Sequence, residues 1–491
     1  MMKSMAAIAR VSTKPRNHES TQKTALGFGF SCFRMFVVLI LLASIAHAQT
    51  PTLEIPPEAQ ASPAFDPVRA TIAYLATVPA DKKARSDAYF EGGYWLQLWG
   101  FLYSAIVLWL LLMLGVSAWM RDRAERITRR RPSQTALYWI QLILLLTIVT
   151  FPLSVYSGYY REHQYGLATQ SFGPWLWDQL KALGVALVFG SLVTMALYGV
   201  LRRVGRSWWL WATMVVVAFT IVGAVIAPVF VAPLFNTYTR LTDPKVRDPI
   251  LSMARANGIT ADDVYVVDQS RQTTRISANV SGLLGTERIS LNDNLLHRCS
   301  LEEIEAVLGH EMGHYVLNHA FKLVLENAIV VAIGFALVAY WFERLRARHA
   351  EWRVASVGDL AGLPLIFLLF AAYQFVATPI NNTIVRVNEY EADIFGLNAA
   401  RQPDAFANAA LKLGDYRKLD PSPIEELIFF DHPSGRTRIF SAMRWKAENI
   451  KKWANRGTPT AKISSVSLCS RISSPTSVTR SAGCGAVPAS R

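Results

Sequence analysis

Two histidines stand four residues apart in "AVLGHEMGHYVLNH", which runs from Ala306 to His319, and a glutamate directly follows the first. On a helix, His310 and His314 leave the same face, because residues i and i+4 lie one above the other. Two imidazoles at that spacing can share one tetrahedral zinc. Glu311 is rotated only about 100° from His310, so it can reach a water beside the metal without being a ligand. Zinc lowers the pKa of such a water towards ~7. A carboxylate beside it can take the proton as the water attacks a carbonyl, then return it to the leaving amine. Gly313 reads as leaving room beside the metal. His319 would fall roughly opposite His310 on a continued helix and is excluded.

A catalytic zinc needs a third protein ligand, with the fourth position open. "RVNEYEADIFGLNAA" (Arg386–Ala400) offers Glu389, with Asp393 one turn on. Glu389 could complete a His, His, Glu set, and Asp393 could orient a ligand histidine from behind. The competing reading is a pair of solvated acids on an amphipathic helix. Glu391 is a rival ligand by composition, but it sits about 160° from Asp393 on a helix. His432, in "DHPSGRTRI", could donate to the oxyanion formed on a scissile carbonyl, although a lone histidine is more often structural. Lys322 and Glu326 are spaced for an ion pair near a membrane interface.

The elements that must position these groups are legible around them. Ser300-Leu301-Glu302-Glu303 is a capping box, so a helix starts at Leu301 and carries the two histidines. "DPILSMARANGI" (Asp248–Ile259) reads as a helix closed by a glycine. "VYVV" (Val264–Val267) suits a buried strand, and "RISANVSGL" and "ERISLND" flank Leu284-Gly285-Thr286 as a hairpin.

Around this region the chain is built for a bilayer. Its 491 residues are 52% hydrophobic, gathered into long blocks. Six of them meet the ~20-residue length of a spanning helix: about Tyr94–Trp119, Ala136–Ser157, Trp175–Leu201, Trp208–Leu234, Phe321–Trp341 and Leu360–Ile380. A shorter block, Phe36–Gln49, follows basic residues and ends in Ala46-His47-Ala48, the layout of a signal peptide or signal anchor. The net charge is +14. Its distribution argues against nucleic acid. Arg121–Arg131, Arg202–Arg206 and Glu343–Arg353 are short basic loops beside spans, and such loops mark the cytoplasmic face. The zinc motif then faces outward. Four cysteines form no CxxC pair and suggest no thiolate site.

The order of motifs resembles the type I CAAX prenyl protease family, the a-factor-converting zinc metallopeptidases of membranes, with HtpX proteases as more distant kin. The residues that carry it are "APLFNTYTRL" (Ala232–Leu241), "VYVVDQS", "SANVSG", "AVLGHEMGH", "NEYEAD" and "HPSGRTR", across Gly92 to Trp445. The resemblance implies His310, His314 and Glu389 as ligands of one zinc per chain, and Glu311 as base. It implies Asp393 as proton donor or ligand orienter, and His432 and Arg438 as an element beside the site. It also implies a chamber walled by seven helices and a substrate strand that pairs with an edge strand. The family commonly has Asn-Ala where this chain has Ser277-Ala278, which leaves Asn279 as the candidate substrate-binding asparagine beside Arg438. Eukaryotic members are understood to present the site to the cytosol, whereas the basic loops here place it outside.

The expectation is therefore a mainly α, polytopic helical membrane protein of six to seven spans with a small α+β zinc-metallopeptidase domain. Its segments are a leader (1–48), an extended Pro/Ala-rich stretch (49–91), four spans (92–235), the first part of the peptidase (236–320), two spans (321–380), the rest of the peptidase (381–455) and a disordered tail (456–491). Its partners would be a polypeptide substrate and the lipid bilayer of a bacterial inner membrane, with CAAX-type or damaged membrane proteins as substrates. Glu302, Glu303, Glu305, Asn318 and His319 flank the motif and disfavour a zinc helix inside the bilayer. An inert membrane scaffold or transporter is the alternative.

Overall fold

The computed structural model describes residues 52–282 and 287–454. The signal-like leader, the C-terminal tail and the turn at Leu284-Gly285-Thr286 lie outside the described residues.

The first elements are α1 (Pro67–Ala76), α2 (Ala80–Met113) and α3 (Val116–Ile127). They correct two expectations. The stretch over 49–91 is not extended throughout. The Asp66 carboxylate accepts the Val68 N–H and Pro67 fills the first helical position, which together start α1. Tyr74 of α1 is buried and donates to Asp404, and Lys446 binds both Asp404 and the Ala59 carbonyl. The first span also does not run to Trp119. It stops at Met113, and Gly115 takes a left-handed φ of 66° that turns the chain into α3.

Next come α4 (Arg131–Val155, continued to Gln164), α5 (Phe172–Leu201) and α6 (Trp208–Ile226, continued to Leu234). Each is long and apolar enough to cross a bilayer. The chain then forms β1 (Tyr238–Arg240), α7 (Pro244–Ala256), β2 (Val264–Val267), β3 (Ala278–Ser281), β4 (Arg288–Asn292) and α8 (Asp293–Arg298). The sheet has the order β1-β2-β4-β3, with β2 and β4 parallel and the outer pairs antiparallel. β3 is an edge strand. One face of the sheet buries Val264, Ile289 and Leu291 against Ile250 and Ala254 of α7 and Leu308 and Met312 of the helix that follows.

That helix is α9 (Leu301–Val316). After it come α10 (His319–Arg348), α11 (Leu363–Val376), α12 (Thr378–Ala400), α13 (Pro403–Leu413), α14 (Pro423–Phe429) and α15 (Gly435–Ala454). α10 is a fifth span by length and composition. α11 and α12 make a sixth only as a pair bent by 60° at Ala377. Pro379, in the first turn of α12, fits a helix start but could not continue α11. The protein is thus a polytopic helical membrane protein with five spans among the described residues, or six with the bent pair counted as one, carrying a small sheet and its helices. Arg121, Arg202 and Arg344 line one cavity, so the three basic loops share one end of the bundle. At the other end, Ala168 pairs with Thr273 of the peptidase part, and Gln272 reaches Asp178 of α5.

Candidate active site

The expected capping box is present at the start of α9. Ser300 Oγ accepts the Glu303 N–H at 3.3 Å, and Glu303 accepts the Ser300 N–H at 2.7 Å. Buried Glu303 is neutralised by Lys412 at 2.5 Å. Two turns on, α9 crosses α12 with almost no space between the backbones. A Cβ on Gly396 would lie 2.7 Å from the His310 backbone nitrogen, and one on Gly313 would lie 3.1 Å from Ala392 Cα. Gly313 therefore makes room for α12 rather than for a metal, as the sequence reading had it.

This crossing sets Glu389 of α12 against both histidines of α9. His310 Nε2 and His314 Nε2 are 3.1 Å apart. Glu389 lies 3.3 Å from the first and 3.4 Å from the second, through its two oxygens. One ligand atom from each of the three residues can be chosen so that all lie within 4.8 Å of one another. Two imidazole nitrogens and a carboxylate converging on one point form a donor set that fits a metal ion.

Glu311 lines the same cavity, of about 280 Å³, beside His310, His314 and Glu389. Its carboxylate has no hydrogen bond or ion pair among the described residues. Desolvation by burial raises its pKa above the ordinary glutamate value, although the neighbouring histidines oppose this. It is a carboxylate left free and made more basic.

Behind the donor set, Asp393 is 1% exposed and sits 2.8 Å from His310 Nδ1. Burial works against a charged His310 ring, but its hydrogen bonds to Asp393 and Glu389 outweigh this and lift the pKa to about 9. Asp393 is gripped by Arg438, whose Nε and Nη2 donate at 3.0 and 2.5 Å. Arg438 is itself buried, and it lines the same cavity as the donor set. His432 reaches the cavity, with Nε2 3.2 Å from Glu389 and Nδ1 2.8 Å from Asp431.

Several residues are not where the sequence reading put them. His319 was excluded on helical phase, but α9 ends at Val316 and Asn318 takes a left-handed φ of 55°. That turn brings the His319 ring back to His314, Nδ1 to Nδ1 at 2.9 Å. His319 Nε2 then faces Glu391 at 3.2 Å. Glu391 thus points away from the donor set. Lys322 pairs with Glu391 at 2.7 Å, and Glu326 accepts from Asn388, so the expected Lys322–Glu326 pair does not form. Asn279 is exposed on β3 and does not line the cavity, whereas Ser277 and Ala278 do.

Residues 72–237 match a family model described as CAAX prenyl protease N-terminal, five membrane helices, and residues 240–446 match one described as Peptidase family M48. A Bacillus subtilis (strain 168) protein called "Uncharacterized metalloprotease YhfN" is 31% identical over 332 residues, which cover 67% of this chain and 78% of that one. CAAX prenyl protease 1 of Saccharomyces cerevisiae is 26% identical over 328 residues, covering 62% of this chain and 71% of that one. The crystal structure of S. mikatae Ste24p aligns with a TM-score of 0.63 over 75% of this chain and 89% of that chain. At 21% identity, this last likeness is one of fold.

Proposed function

The chain belongs to the M48 metallopeptidase family and is a membrane-embedded metalloprotease, and from that premise we propose that it is a zinc endopeptidase with His310, His314 and Glu389 as ligands and Glu311 as general base. The scaffold or transporter alternative is not favoured. The observation that carries the reading is the convergence of two imidazole nitrogens and the Glu389 carboxylate. A tetrahedron with zinc–nitrogen bonds of about 2.0–2.1 Å has edges of about 3.3 Å. The two imidazole nitrogens, 3.1 Å apart, suit one such edge, and each faces a different oxygen of Glu389, at 3.3 and 3.4 Å.

Bound there, zinc supplies a Lewis acid that acidifies a water and polarises the scissile carbonyl. The remaining work falls to the chain. Glu311 takes the proton from the attacking water and returns it to the leaving amine. Its lack of another partner keeps it available for both transfers. His432, whose Nε2 lies 3.2 Å from Glu389, supports the oxyanion. Asp393, held by Arg438, fixes the His310 ring so that Nε2 faces inward.

The substrate enters as an extended chain. β3 has one edge paired with β4 and the other open, and Ser277 and Ala278 at its start line the cavity. Main-chain pairing to such an edge fixes a peptide without reading its side chains. The substrates proposed are membrane-associated polypeptides, of CAAX type or misfolded, in a bacterial inner membrane with the site on the periplasmic side. The relatives named CAAX prenyl protease 1 support the first class.

Metal content and casein cleavage, measured on detergent-purified protein, test the assignment. Wild type should hold about one zinc per chain and lose activity to a chelator. Glu311→Gln should keep the zinc and lose cleavage, and Glu389→Ala should lose both. Near-normal cleavage by Glu311→Gln would refute the mechanism, and Glu389→Ala with its zinc intact would refute the ligand set.

A further inference from the structure

We propose that the cavity at the basic end of the spans binds the head group of an anionic phospholipid. This cavity has a volume of about 1200 Å³ and lies between the C-terminal ends of α5 and α10 and the loops after them, at the opposite end of the bundle from His310. Arg131, Arg202, Arg206 and Arg344 line it.

The charges around it are unequally satisfied. Arg121 is committed to Asp122 and Asp359, each at 2.7 Å, and Asp359 also accepts the Ala355 and Ala361 N–H groups. Glu343 is committed to Arg346. Of the lining carboxylates this leaves only Glu125 without a cation among the described residues, against four arginines with no carboxylate. Arg202 is the most telling. Its Nε donates to the Gly358 carbonyl at 3.2 Å and its Nη1 to Thr135 Oγ1 at 3.4 Å, both neutral. Burial, with repulsion from Arg131, holds its pKa below the ordinary arginine value. Gly358 packs directly on it, because a Cβ there would meet Arg202 Cγ at 3.2 Å. A half-buried guanidinium fixed by neutral partners, with other arginines around it, presents the planar fork that grips phosphate.

The level of the cavity identifies the source of the phosphate. Trp119, Trp211, Tyr340 and Trp341 are exposed around this end of the bundle, as aromatic side chains are at a head-group layer. Beyond that belt α6 exposes Met214 and Val222, an apolar face for acyl chains. Basic pockets between spans at the cytoplasmic level suit anionic lipids. The volume also far exceeds that of a single phosphate ion.

The test uses the full chain in neutral detergent, by native mass spectrometry and thermal melting, with phosphatidylglycerol, phosphatidylcholine or inorganic phosphate. Phosphatidylglycerol should stay bound and raise the Tm, and the other two should do neither. The Arg131 and Arg206 side chains are exposed and donate no hydrogen bond among the described residues, so Arg131→Gln/Arg206→Gln should fold as wild type. That variant should lose phosphatidylglycerol affinity by at least about tenfold, as the removal of a charged hydrogen bond does. Arg202→Gln should lose it too. Equal retention of phosphatidylcholine, an equal shift with inorganic phosphate, or unchanged affinity in both variants would overturn the proposal.

Discussion

His319 supports the proposed ligand set through a chain of rings that no sequence pattern announces. With His314 Nε2 turned inward, its Nδ1–H donates to His319 Nδ1, and the His319 Nε2–H then donates to Glu391. Outer partners of this kind fix the tautomer of a ligand histidine, and their loss typically costs about 10–100-fold in metal affinity. His319→Ala should therefore release zinc to a competing chelator with an affinity lower by about that factor, while Glu391→Ala should still bind one zinc per chain. A His319→Ala variant with wild-type affinity would reduce the ring contact to packing. The spacing of His310 and His314 and the distance of Glu389 from them in sequence were readable, because i and i+4 geometry is local. His319 was not, because the argument continued a helix that Asn318 ends. The contact of Arg438 with Asp393 was not readable, because it rests on a tertiary approach that local pattern cannot express.

The crossing of α9 and α12 brings two distant motifs into one site. Gly309 and Gly313 face Gly396 and Ala392, so the backbones touch where the ligands leave them. Adding one methyl at Gly396 forces the helices apart or strains them, which typically costs about 1–3 kcal/mol. Gly396→Ala should lower the Tm and weaken zinc binding together, whereas Gly93→Ala, in a helix interior with nothing within 4 Å, should leave zinc binding unchanged and not lower the Tm. A Gly396→Ala variant with unchanged zinc affinity would mean that the crossing has slack. The capping box at Ser300 and the β2 strand were legible because each is a short-range signal. The early end of α2 and the bend at Ala377 were not read from apolar length, since hydropathy is blind to a backbone turn inside an apolar run. The glycine at Gly115 and the proline at Pro379 were the available signals.

At the scale of the molecule, the loop charges and the site lie at opposite ends of the spans. If the basic end is cytoplasmic, a reporter fused after Ile439 should read as periplasmic. A cytoplasmic signal at that fusion would reverse the proposed orientation. Five of the six expected spans were legible from length alone, and the structure supplied their ends and the bend that breaks the sixth. Two of those ends run straight into the site. α10 begins at His319, which touches His314, and α11 bends by 60° into the helix that carries Glu389. A span answers a thicker or thinner bilayer by changing its tilt. Tilt at one end of a lever is displacement at the other, so the thickness of the surrounding membrane becomes a mechanical input to how closely the three donors converge.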